Sequence, residues 1–133
     1  MFYYFPNDYT RSSAVMLCLM AGGQLGQIDR WLAPLRTADP DVHAWTAAWD
    51  NAAADQEEHA EEDLRQGFRR SASARYLRAS TYYLTGERQT PPGTAKSRSY
   101  AAALHAFAAA NLHSAYPIER VEIDSPDGSC PAT

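Results

Sequence analysis

The densest group of side chains that could bind a metal ion lies near the middle of the chain. His59 follows Glu58 and precedes Glu62. A helical di-metal carboxylate site needs a Glu-x-x-His motif on each of two helices, with further glutamates pointing inward. Here Gln56 stands three residues before His59, and no second motif occurs. The ligand count therefore disfavours a metal site, and the sequence predicts no metal or other cofactor.

A hydrolytic nucleophile is equally hard to identify. The Gly-x-Ser-x-Gly turn that presents the nucleophile of many hydrolases is absent from the sequence. Ser71, Ser73 and Ser80 lie in or beside a predicted helix, not at a strand-to-helix turn. Cys18 lies in an apolar helix, where burial would raise its pKa and make the thiol inert. The chain is therefore predicted to carry no catalytic residue of its own.

Aromatic side chains are the remaining candidates for binding a ligand. Tyr82 and Tyr83 are consecutive in a predicted helix, so their side chains point about 100° apart and are not expected to enter the same core. A tyrosine at the edge of a core can form the wall of a substrate pocket. Arg78, about one turn earlier, can pair with an anionic or phenolic group, or form an ion pair within the protein. Tyr82, Tyr83 and Arg78 are the predicted substrate-binding residues.

Composition limits the class of protein. A chain of 133 residues can bury the core of one domain. A net charge of −4 and the lack of a Lys/Arg block disfavour nucleic-acid binding. The apolar run from Ala14 to Ala21 is too short to span a bilayer, so no membrane partner is expected. Cys18 and Cys130 do not form a disulfide framework, which makes the cytoplasm the expected compartment.

Five helices are expected to position these residues. The first starts at Ser12 or Ser13 and ends at Gly22-Gly23, and the others run from Gln24 to Leu35, from Asp39-Pro40 to about Gln66, from Ser71 or Ser73 to about Glu87, and from Thr94 to about His113. The short turns between the last three predict antiparallel hairpins that pack like tetratricopeptide units, although no 34-residue period is sustained. The predicted fold is all-α.

Apolar residues recur at helical spacing in the last three helices and predict their buried faces. These predicted faces are Trp45, Trp49, Ala52, Gln56, His59 or Ala60, and Asp63 or Leu64 in the third helix, Ala72, Tyr76, Ala79 or Ser80, and Tyr83 or Leu84 in the fourth, and Tyr100, Leu104, Phe107 or Ala108, and Leu112 in the fifth.

The last residues change from a helical to a strand pattern. Ile118 to Asp124 reads as a β-strand and Ser125 to Gly128 as a turn, with no recognisable partner strand before Thr133. Because a lone strand cannot satisfy its backbone, we expect it to pair with a β-containing domain that is absent from this chain. The predicted division is a helical domain over residues 1–116 and the start of a truncated domain over residues 117–133.

Several segments resemble the N-terminal helical lid of FrsA-like α/β-hydrolases, a group that includes the dihydroxypseudooxynicotine hydrolases and the Ayg1-type polyketide-shortening hydrolases. The segments are Phe2-Tyr-Tyr-Phe-Pro-Asn-Asp-Tyr9, Ala48-Trp49, Ala60-Glu-Glu-Asp63, Tyr76-Leu-Arg-Ala-Ser-Thr-Tyr-Tyr83 and Tyr100-x-x-Ala-Leu-x-x-Phe107. The run Arg78-Ala-Ser-x-Tyr-Tyr83 is the most specific of them. Val121-Glu-Ile123 resembles the first strand of the hydrolase domain.

The resemblance implies a two-domain, serine-type enzyme that hydrolyses ester, amide or activated C–C bonds. Its Ser/Asp/His triad would lie in the α/β-hydrolase catalytic domain, and no triad residue can be carried over to this chain. The lid would cover the catalytic domain and help to enclose an acyl, aromatic or polyketide-like small-molecule substrate. The resemblance also implies a possible homodimer. An isolated lid is expected to expose an apolar face.

A different class of function is also compatible with this pattern. The chain could be a stand-alone helical-hairpin interaction module that binds a peptide or a partner helix in its groove.

Overall fold

The computed structural model describes residues 3–37, 41–123 and 130–131. In these ranges the chain forms five α-helices: α1 (Tyr9–Met20), α2 (Leu25–Leu32), α3 (Val42–Arg65), α4 (Arg69–Glu87) and α5 (Thr94–His113). The predicted all-α fold is confirmed. None of the helices in the described part of the chain is both long enough and apolar enough to cross a membrane.

The start of α1 differs from the prediction. Asp8 caps this helix, because its Oδ1 accepts a hydrogen bond from the backbone N–H of Arg11 at 2.9 Å. Ser12 lies a full turn inside the helix and is buried, so a cap at Ser12 or Ser13 is wrong. The Ser12 hydroxyl instead donates to the carbonyl of Phe5 at 2.8 Å and accepts from the N–H of Phe5 at 3.0 Å. It thereby fastens the aromatic N-terminal segment to α1.

The predicted second helix is divided in two. The α-helix ends at Leu32, and the chain tightens into a 3-10 helix over Ala33–Arg36. Pro34 explains the change, because it lacks the N–H that would continue the α-helical hydrogen bonds.

Capping and glycine also set the boundaries of α3 and α4. The Oδ1 of Asp41 accepts a hydrogen bond from the N–H of Ala44 at 2.7 Å and caps α3, whereas the start signal at residues 39–40 lies outside the described residues. Gly67 has a φ of +83°, the left-handed conformation that glycine adopts most easily. The chain reverses at this residue, and α4 begins at Arg69. This start lies two residues before Ser71, the first of the two starts predicted from the sequence.

The central helix of the domain is α4. It packs against α3 and α5, with which it forms two consecutive hairpins, and it also contacts α1. The helix α2 packs against α3. The predicted hairpin arrangement is confirmed.

A close approach of α3 and α4 forms the centre of the core. Trp45 and Trp49 are fully buried, and their ring centroids lie 5.6 Å apart. A Cβ added at Gly86 would lie 2.7 Å from the Cβ of Trp49, so only glycine fits at this position. The predicted stripe on α3 is confirmed from Trp45 to Ala60, whereas His59 is exposed and Asp63 and Leu64 at its far end are only half-buried.

The buried face of α5 differs from the prediction. Tyr100, Leu104, Phe107 and Leu112, which were expected to be core residues, are exposed. The buried residues of α5 are the small ones: Ser99, Ala103, Ala106 and Ala110. Small side chains let two helix backbones approach closely, and the hydroxyl of Ser73 donates to the carbonyl of Ala110 at 2.8 Å across this contact. The apolar stripe exists, but it lies on the surface.

The strand prediction is only partly correct. Residues 118–121 are not in a strand, and β1 covers only Glu122–Ile123. It pairs antiparallel with β2, Cys130–Pro131, in the register Glu122 opposite Pro131. The expectation of a strand without a partner in this chain is therefore wrong, because a later segment satisfies part of its backbone. The predicted turn at residues 125–128 lies outside the described residues.

Candidate functional site

Tyr82, the first predicted substrate-binding residue, lies inside the core. Its side chain is fully buried, and its ring centroid lies 5.7 Å from that of Trp49. Its hydroxyl donates to Oε1 of Gln27 at 3.0 Å and accepts from the N–H of Gln24 at 3.1 Å. Tyr82 thus joins α4 to the start of α2. Burial raises the pKa of this phenol to about 12.

Tyr83 belongs to the same core cluster as Tyr82. Its hydroxyl donates to Oε2 of Glu57 on α3 at 2.7 Å. Burial is the main cause that raises the pKa of Tyr83 well above its usual range, and the hydrogen bond to the Glu57 carboxylate raises it further. The expectation that consecutive tyrosines cannot share one core is wrong. Because α4 is covered on several sides, neighbouring residues on different flanks can enter the same cluster.

Arg78 bonds to groups of this chain. Its Nε donates to the carbonyl of Gly22 at 3.2 Å, and its Nη1 donates to Oε1 of Gln56 at 3.1 Å. The guanidinium therefore connects α4 to α3 and to the turn after α1. A role for Arg78, Tyr82 and Tyr83 in substrate binding stays a prediction, and each of them already makes contacts that hold the helices together.

A better candidate surface lies on the side of α4 that turns away from α3. Five residues spaced three or four apart share one side of this helix and are called the outer strip: Ser73, Leu77, Thr81, Leu84 and Arg88. The residues through which α4 packs on α3, such as Gly86 against Trp49, lie on the opposite side. Leu77 is 49% exposed although it is large and apolar. The outer strip is flanked by α5 near its start and by α1 near its end.

One cleft opens where the outer strip meets α5. Residues 114–121, called the connector, turn back after α5, and Tyr116 and Ile118 of the connector face Leu77 and Phe107 across a cleft of about 70 Å³. Asn111 holds the connector in place: its Nδ2 donates to the carbonyl of Ile118 at 2.8 Å, and its Oδ1 accepts from the N–H of Ile118 at 2.6 Å. These apolar side chains continue the exposed stripe of α5.

A second cleft, called the α1 cleft, opens at the other end of the outer strip. It has a volume of about 140 Å³ and is lined mainly by Leu17, Cys18, Thr81, Leu84, Thr85 and Arg88. Cys18 lies in the floor and is 2% exposed. Burial raises the pKa of its thiol to about 11, and the nearby positive charge of Arg88 opposes this rise in part. The thiol is therefore protonated at neutral pH and unsuited to nucleophilic attack.

Two larger clefts carry polar groups that already bind one another. In a cleft of about 390 Å³ that contains His59, Arg65 pairs with Glu62 at 2.6 Å, and Arg30 lies 3.6 Å from Asp55. Among the described residues, no group of three or more His, Cys, Asp or Glu side chains is arranged to hold a metal ion.

The other large cleft, of about 420 Å³, lies beside the N-terminal segment. The hydroxyl of Tyr4 donates to Oδ1 of Asp29 at 2.7 Å, and the guanidinium of Arg36 lies 5.1 Å from the centre of the Tyr4 ring. The two charged side chains of this cleft, Asp29 and Arg36, therefore already interact with Tyr4.

The sequence carries a signal for the outer strip. Leu77, Leu84 and Arg88 follow one another at spacings of seven and four residues, which places them on one side of a helix. Tyr76 and Tyr83 show the same seven-residue spacing on a neighbouring flank, so the spacing alone does not distinguish the exposed side of α4 from the buried one.

Comparison with models of known families, with curated protein sequences and with solved structures gives no match for this chain.

Proposed function

We propose that this chain is the helical lid of a serine-type α/β-hydrolase, and that it rests on the catalytic domain with the outer strip of α4, the exposed stripe of α5 and the connector. A single observation supports this proposal above all: of the fourteen large apolar side chains that are exposed in the described residues, eight lie on the outer strip, α5 and the connector, and the other six are spread over the N-terminal segment, α1, α2 and the start of α4. The eight are Leu77, Tyr100, Leu104, Phe107, Leu112, Tyr116, Ile118 and Val121.

The number of these exposed apolar side chains favours a partner. Each of these eight side chains is at least 40% exposed. Contiguous apolar patches on monomeric proteins rarely exceed about 300–600 Å², and larger ones usually mark interaction sites. No Asp, Glu, Lys or Arg occurs from Ser99 to Ile118, so this part of the surface offers no charge that would oppose apolar docking.

The role of a lid follows from physical chemistry and needs no catalytic group in this chain. Apolar side chains that close over a reaction centre exclude water and strengthen the electrostatic interactions of the catalytic residues beneath them. They also hold an acyl or aromatic substrate in place while the bond is attacked. In this proposal the triad and the oxyanion hole belong to the catalytic domain, and Leu77 and Phe107 belong to the surface of the lid that covers it.

Leu77→Asp is expected to lower the fluorescence of a bound hydrophobic dye, such as 8-anilinonaphthalene-1-sulfonate, by at least half. The reason is that a carboxylate within the apolar surface reduces the apolar area that the dye can contact and thereby lowers the affinity of the dye. The matched control is Leu25→Asp, which changes an exposed leucine on α2, and it should alter the fluorescence little. Equal fluorescence for both variants and the unaltered chain would contradict the proposed docking surface.

The hydrolase assignment itself is tested with p-nitrophenyl esters. This chain alone is expected to be inactive, and activity is expected when any polypeptide encoded after Thr133 is added or linked to it. Leu77→Asp should then reduce the activity of the combination. Hydrolysis by this chain alone, or a downstream polypeptide without a Gly-x-Ser-x-Gly turn, would overturn the proposal.

A further inference from the structure

The α1 cleft contains a positive charge that is not neutralised inside the described part of the protein. Arg11, Arg65 and Arg75 each form an ion pair with a nearby carboxylate. Arg88 forms no ion pair with any carboxylate in the described ranges, and its neighbour Glu87 is already paired with Lys96 at 2.6 Å. A guanidinium without an internal counter-ion can bind an external anion through two parallel hydrogen bonds.

The other polar groups of the cleft offer no comparable donor. The hydroxyl of Thr81 donates to the carbonyl of Leu77 at 3.1 Å, and that of Thr85 donates to the carbonyl of Thr81 at 2.7 Å. Both threonine protons are thereby occupied within α4. The guanidinium of Arg88 is thus the strong donor at this cleft.

The remaining walls are apolar and of limited size. Leu17, which is 54% exposed, and Leu84 stand on either side of the cleft. Its volume of about 140 Å³ is similar to that of an apolar cavity of about 150 Å³ that holds one benzene molecule. The space therefore suits one aromatic ring or a short acyl chain.

We propose that the α1 cleft binds the anionic end of an aromatic or short acyl ligand, with Arg88 holding the carboxylate or phenolate and Leu17 and Leu84 contacting its apolar part. As a subsite for the substrate of the hydrolase, this assignment rests on the proposed function, since the cleft lies on the outer strip that the lid would turn toward the catalytic domain. As a binding site, it can be tested on this chain alone.

The test is a titration of the isotope-labelled chain with benzoate at low ionic strength, followed by NMR shifts of the backbone amides. Saturable shifts are expected at Leu17, Leu84 and Arg88. Arg88→Gln should raise the dissociation constant for benzoate at least tenfold, because a hydrogen bond to a charged group is lost. Benzyl alcohol has the same ring without the charge, and it should bind the variant and the unaltered chain equally weakly.

The matched control is Arg98→Gln, because Arg98 is also highly exposed but lies on α5 near Asp50. It should leave benzoate binding unchanged. Three results would each overturn the assignment. They are an equal benzoate affinity of Arg88→Gln and the unaltered chain, chemical shift changes in another part of the chain, and a titration that does not saturate. If the dye or ester experiments contradict the proposed lid function, a positive benzoate titration would still support an anion-binding site, because neither of those experiments is designed to measure binding in this cleft.

Discussion

Gly86→Ala is expected to lower the free energy of unfolding by about 2 kcal/mol, which for a chain of this size shifts the melting temperature by several degrees. The added methyl group would lie 2.7 Å from the Cβ of Trp49 and 3.3 Å from its Cγ. Trp49 cannot turn away, because the nearest atom is attached directly to the backbone of α3. The two central helices would have to separate.

The matched control for this substitution is Gly26→Ala. Gly26 also lies in a helix, but nothing lies within 4 Å of the position that its Cβ would occupy. Here the alanine should raise the free energy of unfolding by about 0.5 kcal/mol, since glycine loses more backbone entropy on folding. Urea unfolding followed by tryptophan fluorescence measures both. A Gly86→Ala protein that is as stable as Gly26→Ala would contradict the close contact of α3 and α4.

The second large effect is a loss of stability in alkali. Burial is the main cause that raises the pKa of Tyr82 to about 12, and it also raises the pKa values of Tyr4 and Tyr83, which in addition donate to Asp29 and Glu57. A phenol in the unfolded chain loses its proton near pH 10, whereas these phenols keep it in the folded state. Above pH 10 the folded state therefore binds more protons, and the free energy of unfolding falls as the pH rises.

The expected window follows from these pKa values. The stabilisation is fully present below about pH 10 and is lost as the pH rises toward 12. For Tyr82 alone the loss by pH 12 is on the order of 2 kcal/mol, since one pKa unit corresponds to about 1.4 kcal/mol. Cys18 acts in the same direction, because burial raises its pKa to about 11.

This prediction is tested by following tyrosinate absorbance at 295 nm together with far-ultraviolet circular dichroism. We expect the buried phenols to ionise only as the helices melt. In Tyr82→Phe the stability should depend less steeply on pH between 10 and 12, whereas the control Tyr116→Phe, at an 85% exposed position, should leave the dependence unchanged. Ionisation of all eight tyrosines with the helices intact would contradict the burial described here.

Sequence signals were sufficient for the existence of the helices and for several of their ends. The predicted span of α5, Thr94–His113, is confirmed, because Pro91-Pro92-Gly93 ends the preceding segment and a long run rich in alanine follows. The core stripe of α3 is confirmed from Trp45 to Ala60, since two large tryptophans at helical spacing define the buried face there. Helix ends depend on the residues next to them, and the buried stripe of α3 depends on the size of its side chains, and the sequence contains both kinds of information.

Only the tertiary structure decided which faces are buried and which charges are free. The α5 helix has a large apolar face and a small alanine face, and the contact with α4 buries the small one because it permits closer packing. Arg78 and Arg88 are equivalent in type, yet only Arg78 lies near Gln56 and the carbonyl of Gly22. Helix periodicity determines which residues share a face, but which face is buried depends on distant parts of the chain that the local pattern does not contain.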